Sequence, residues 1–142
     1  MKYKRLLRNW AAPIGCGLFL LLVFRFVLFL GYVPSSSMEP SLQAGSYILA
    51  LRVFDEPKKG DVVVFQHEGR LLVKRIAAVP GDCYVRTGDV LCITKNEGVM
   101  VPAQCYLVLG DNASCSIDSR YWSDPYVQHG DIVAVVLGIP DK

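Results

Sequence analysis

Apolar positions run almost unbroken from Ile14 to Val33, and beyond them the chain breaks into short β-branched runs separated by Gly, Pro and Asp. The first stretch, IGCGLFLLLVFRFVLFLGYV, predicts a single helix over 14–33, since twenty helical residues at about 1.5 Å each cover about 30 Å, the thickness of a hydrocarbon core. Trp10 and Tyr32 flank it, where amphipathic rings favour the headgroup zone. Arg25 is its only formally charged residue, placed to snorkel toward the headgroups or to meet a polar partner helix. A cleaved leader fits this segment less well, because leaders carry a shorter apolar run and end in a small-x-small site.

After Val33 the pattern changes to strands. Runs at 47–53, 61–66, 70–79, 83–86, 90–94, 104–109 and 131–137 are rich in Val, Ile, Leu and Tyr and are bounded by turn residues such as Pro80-Gly81-Asp82 and Gly110-Asp111-Asn112. No window offers an amphipathic soluble helix. The expected architecture is mainly β, a coiled sheet, partly open barrel or folded sandwich preceded by one N-terminal transmembrane helix. Three regions follow: a basic N-terminus at 1–13, the helix at 14–33, and an exported β domain at 34–142.

Composition sharpens this picture. At 142 residues and 52% hydrophobic, the chain is too apolar for disorder. Its net charge of +2 hides an asymmetry: Lys2, Lys4, Arg5, Arg8 and Arg25 stand in the first 32 residues with no acid, leaving 10 basic against 13 acidic side chains beyond. That balance excludes a basic nucleic-acid-binding domain. It predicts instead a cytoplasmic N-terminus with the β domain carried across the membrane. Cys16 falls in the helix, while Cys83, Cys92, Cys105 and Cys115 fall in the exported domain. Two disulfides in any of three connectivities are compatible with those four, as are reduced thiols, and their spacing is not that of a metal site.

Candidate chemistry begins by exclusion. There is no G-x-S-x-G elbow, S-x-x-K, H-E-x-x-H or P-loop, and His67 and His129 read as turn residues. What remains is an ordered set of blocks. Ser37-Met38-Glu39-Pro40-Ser41-Leu42 follows the helix, and Gly60-Asp61-Val62-Val63-Val64-Phe65 comes next. Lys74-Arg75 then runs on to Pro80-Gly81-Asp82, and Gly110-Asp111-Asn112 precedes Ser116-Ile117-Asp118-Ser119-Arg120-Tyr121-Trp122. This set resembles the type I signal peptidases, membrane-anchored Ser/Lys proteases, and with the anchor covers nearly the whole chain.

The resemblance implies a signal-peptidase-like coiled β-sheet and the removal of signal peptides from exported precursors at the outer face of a bacterial cytoplasmic membrane. No cofactor, metal or nucleic acid is called for. It implies Ser37 as nucleophile and Lys74 as its base. A serine hydroxyl is a poor nucleophile until a base takes its proton. Lysine must be neutral to do so, which its apolar neighbours Leu71, Leu72, Val73 and Ile76 favour by desolvation. Working near pH 7–8 requires a fall of roughly 3 units from the usual 10.4, or about 4 kcal/mol. Ser35 matches the position whose hydroxyl joins the Ser37 N–H around the oxyanion. Ser116 matches the serine that hydrogen-bonds the lysine. Asp118 with Arg120, and Arg75 with Asp111, match structural ion pairs. Val33, Pro34, Leu72 and Val73 correspond to the edges that grip an extended peptide, with small residues expected at positions −3 and −1 of the cleavage site.

The chain departs from the family pattern in three places. The stretch between Lys74 and Gly110 is short, which reduces the second domain to an insertion near 83–105. Ser123 stands where Gly is usual, and Leu72 where an aromatic is common. Alternatives are a peptidase dedicated to one pilin or conjugation precursor, and, from another class, a non-catalytic membrane-anchored peptide-binding subunit.

Overall fold

The computed structural model describes residues 2–88, 90–94 and 97–139, and the side chains among these other than those of 2–9 and 11. The side chains of Lys2, Lys4, Arg5 and Arg8 therefore lie outside the described residues. A single long helix, α1 (Lys2–Phe26), leads into ten strands. These are β1 (Leu28–Tyr32), β2 (Tyr47–Leu51), β3 (Val62–His67), β4 (Arg70–Ala78), β5 (Cys83–Thr87), β6 (Val90–Thr94), β7 (Val99–Met100), β8 (Cys105–Leu109), β9 (Tyr126–Gln128) and β10 (Ile132–Val136). The mainly β fold read from the alternating runs is the fold observed.

The N-terminal segment differs from its expectation. Helix α1 stops at Phe26, and residues expected to continue it form β1, paired with β2 in an antiparallel register from Leu28–Leu51 to Tyr32–Tyr47. Five rungs of sheet pairing, with β-branched and aromatic side chains flanking Gly31, outcompete helix propagation over these residues. Among the described residues, no helix is long and apolar enough to cross a membrane. Val27 is the only residue between α1 and β1; its N–H donates to the Val23 carbonyl and its own carbonyl accepts from Arg52 N.

Seven strands form one antiparallel sheet in the order β1-β2-β10-β3-β4-β8-β9. Three intervening strands separate β1 from β4, yet residues of both line the same groove, so the sheet curls on itself. Three apolar clusters hold the curl: Val33, Met38, Ile48, Val62 and Val64 on one side; Val63, Phe65, Ile76, Tyr106 and Val108 on the other; and Ala78, Tyr84, Val101 and Leu107 at the far end. That last cluster seats a second, three-stranded sheet, β6-β5-β7, inserted between β4 and β8. All five cysteines are free thiols.

Candidate active site

The segment after β1 turns back sharply. Val33 N–H donates to the Ser46 carbonyl and Gly45 N–H to the Val33 carbonyl, which pins the chain before it enters a 3-10 turn at Ser36–Met38. Met38, 1% exposed, plugs this turn into the core and carries Ser37 inward with it. Across the groove, β3 fixes β4 by a continuous register that includes Val63–Lys74 and Val62–Arg75. Strand alternation fails locally, since Lys74, Arg75 and Ile76 are all buried. A strand that buries consecutive cationic side chains needs partners for both.

The two cations are satisfied differently. Arg75 makes a bidentate ion pair with Asp111, Nε to Oδ1 at 2.9 Å and Nη2 to Oδ2 at 2.8 Å, and also donates to the Gly60 carbonyl at 2.7 Å and Ser41 Oγ at 3.2 Å. Lys74 is 4% exposed, and its Nζ donates to Ser37 Oγ at 2.7 Å, with no carboxylate as hydrogen-bond partner among the described residues. Burial lowers its pKa from the ordinary lysine value; the Asp118 charge opposes this and the Arg120 charge assists it. Ser35 Oγ lies 3.3 Å from Ser37 Oγ, on the exposed side of the nucleophile turn. The arrangement can therefore move a proton from a serine hydroxyl to a neutral amine beside an open groove.

Behind this pair stands a carboxylate cradle. Asp118 is wholly buried and accepts from Arg120 Nε at 2.8 Å and Nη2 at 2.8 Å, from Gly110 N–H at 2.8 Å and from Ser116 Oγ at 2.6 Å. Burial pushes its pKa up, but the donors from Arg120, Gly110 and Ser116 together outweigh that and hold it below the usual carboxylate value. Both expected ion pairs, Asp118–Arg120 and Arg75–Asp111, are formed. The expected Ser116–Lys74 hydrogen bond is not among those of the described residues. With Ser116 extended, its hydroxyl donates to the Asp118 carboxylate two residues on, a charged acceptor.

Sequence reading passed over Gly110 as a simple turn residue. A Cβ there would collide with Ser116 Oγ, meet Ser116 Cβ at 2.5 Å and the Ser37 carbonyl oxygen at 2.6 Å. Only a glycine lets the Ser116–Asp118 cradle and the Ser37 turn approach this closely. Its position opening the Gly-Asp-Asn block was the available signal.

Residues of β1, the Val33–Ser37 segment and β4 enclose a groove of about 320 Å³. Val33, Pro34, Ser35, Ser37, Leu72, Val73 and Lys74 all line it, whereas Ser116, Asp118, Arg120, Arg75 and Asp111 do not. Among the described residues both walls carry an open strand edge: β1 pairs only with β2, and residues 70–74 of β4 pair only with β3. His67 stacks on Trp122 at 3.9 Å and His129 reaches the Tyr106 hydroxyl at 3.3 Å; neither lines the groove.

A serine hydroxyl bonded to a buried lysine amine thus lies beside a groove with strand edges on both walls, an arrangement compatible with serine–lysine hydrolysis. Comparison with known proteins narrows that class. The family profile described as signal peptidase, peptidase S26, matches residues 7–98 and 93–139. A probable signal peptidase I-2 of Synechocystis is 36% identical over 68% of this chain and 56% of its own length. Signal peptidase I of Leptolyngbya laminosa is 30% identical over 84% of this chain and 72% of its own. That of Bacillus amyloliquefaciens is 31% identical over 82% and 79%. The chain belongs to the signal peptidase family, peptidase S26. It spans little more than half of the Synechocystis relative.

Proposed function

We propose that this protein is a membrane-bound serine endopeptidase that removes N-terminal signal peptides from exported precursors, cutting after small residues at −3 and −1. The 2.7 Å contact between Lys74 Nζ and Ser37 Oγ, in a pair almost closed to solvent, carries the reading. Neutral Lys74 takes the Ser37 proton as Oγ attacks the scissile carbonyl. The resulting oxyanion is held by the Ser37 N–H and Ser35 Oγ. Lys74, now an ammonium, returns the proton to the departing amine, leaving an acyl-enzyme. Lys74, neutral again, then takes a proton from water as the water oxygen attacks the acyl carbon, and returns it to Ser37 Oγ as the ester bond breaks and the new carboxylate leaves. The Asp118–Arg120 and Arg75–Asp111 pairs keep the walls of this site in place.

An extended peptide would lie between the free edges of β1 and β4 and pair with their backbones. Val33, Pro34, Leu72 and Val73 shape the shallow pockets for its small side chains. The bilayer is the second partner. Leu18, Phe19, Leu21 and Phe24 of α1 are exposed, and so are the cross-strand neighbours Leu30–Leu49 and Tyr32–Tyr47 on the outer face of β1 and β2. Apolar surface of that extent supports our reading that this side rests against lipid, with the groove at the outer face of the cytoplasmic membrane.

The test is cleavage, in detergent, of a precursor with a small-x-small site by the wild type and by Ser37→Ala. Product from the wild type alone supports the reading. Cleavage by neither, with the precursor still bound, assigns a peptide-binding role instead.

A further inference from the structure

The hydrogen bonds around the Ser36–Met38 turn converge on a residue outside the serine–lysine pair. We infer that Asn112 is a positioning residue that aims the Ser37 N–H at the oxyanion by clamping the two peptide units on either side of Ser37. This rests on the peptidase reading given above.

Asn112 Nδ2 donates to the Ser36 carbonyl at 3.2 Å, and Asn112 N–H donates to the Ser37 carbonyl at 3.0 Å. The Ser36 carbonyl and the Ser37 N–H belong to one planar trans peptide and point in opposite directions. Anchoring the carbonyl to Asn112 therefore fixes where the N–H points, away from Asn112. The backbone bond to the Ser37 carbonyl fixes the following peptide plane in the same way. Donation to the carbonyl also polarises the peptide, which strengthens its N–H as a donor.

The amide is itself held in the required orientation. Ser114 Oγ donates to Asn112 Oδ1 at 2.8 Å, which turns Nδ2 toward Ser36. A carbonyl oxygen can only accept, so the opposite amide orientation would set two acceptors against each other. Within the turn, the Ser36 carbonyl also accepts from the Glu39 N–H at 3.1 Å. That bond closes the turn but does not tie it to the wall that carries Asp118. Asn112 provides the tie, linking nucleophile and carboxylate cradle through the three-residue block Gly110-Asp111-Asn112.

The experiment compares full-length wild type, Asn112→Ala and Asn112→Asp in detergent. Both variants keep the backbone donor; Asn112→Asp also keeps the side-chain shape and serves if Asn112→Ala fails to fold. Three quantities are read: kcat, KM, and affinity for a peptide aldehyde ending in a small-x-alaninal sequence. In the aldehyde adduct Ser37 Oγ bonds to the carbonyl carbon, its proton passes to Lys74, and the carbonyl electron pair becomes the oxyanion. Expected is a fall in kcat of about tenfold, a fraction of what losing an oxyanion donor costs, with KM within twofold and aldehyde affinity reduced in step with kcat. A kcat within twofold of wild type overturns the assignment. So does an equal loss of affinity for aldehyde and for product peptide, which marks a merely structural residue. If the wild type itself cuts nothing, the peptidase reading falls and this inference with it.

Discussion

Lys74 Nζ donates to Ser37 Oγ at 2.7 Å although 37 positions separate the two in sequence. The contact exists because Met38 drags its neighbour into the core while β3 holds the lysine's strand in register. Burial lowers the lysine pKa, so activity should rise with pH through that lowered pKa. A kcat/KM profile whose acidic limb is absent, or which falls as pH rises through the neutral range, contradicts the base assignment. Lys74→Arg, which cannot be neutral, should lose about 10²–10⁴-fold in kcat.

The same lysine carries a stability signature. Its folded pKa lies below its unfolded value, so the folded state binds fewer protons between the two and gains stability as pH rises through that window. Below the folded pKa the penalty is complete. Lys74→Met should therefore melt higher than wild type near neutral pH, with the difference shrinking toward pH 10. Thermal unfolding across that range decides it.

Ser35 Oγ stands 3.3 Å from Ser37 Oγ and is exposed to the groove. Ser35→Ala should lower kcat by about 10²–10³-fold and leave KM little changed. An unchanged kcat removes Ser35 from the oxyanion site.

Arg120 neutralises Asp118, whose side chain is 0% exposed. Arg120→Gln leaves that carboxylate buried with its principal partner gone, at a cost of about 3–5 kcal/mol. Asp118 raises the Lys74 pKa and Arg120 lowers it, so the acidic limb of the pH–rate profile should move to higher pH in the variant. Asp118 itself titrates below its ordinary value in the fold; its contribution is present above the unfolded pKa and lost as pH falls through the folded one. The cost of Arg120→Gln should thus be largest near neutral pH and shrink as pH falls toward the folded pKa of Asp118. Paired denaturation curves at pH 3 and pH 7 measure this.

Gly110→Ala pushes a methyl group against Ser116 and the Ser37 carbonyl. Overpacking of this kind costs about 1–3 kcal/mol. Because the collision falls on the nucleophile's own peptide, activity should fall by more than the stability loss explains. Single-turnover cleavage at a temperature where the variant is fully folded separates the two effects.

Much of this molecule was legible before its coordinates. The seven β-branched runs become strands because alternating apolar positions leave little choice in a chain with no amphipathic helix. Strand β1 was hidden, since Leu28–Tyr32 continues the apolar run of α1 with no polar break, and only its pairing with β2 distinguishes strand from helix. The two residues of β7 and the three of β9 are too short to show a period. Ser37, Lys74 and the groove residues were placed by motif order. The bond of the Ser116 hydroxyl to a carboxylate two residues away was not legible, because sequence spacing alone does not rank such partners.

The seven-stranded sheet curls far enough to bring residues of β1 and β4 to one groove. Residues of β1 and of the 70–74 half of β4, each paired on one side among the described residues, line it together with Ser37 and Lys74. Two such edges offer backbone donors and acceptors that an extended segment could take up. On the function proposed above, an extended precursor would complete this sheet, so binding and folding would become linked quantities. An uncleavable peptide of the right register should raise the melting temperature of Ser37→Ala as its concentration rises, and each turnover should end with the groove reopening.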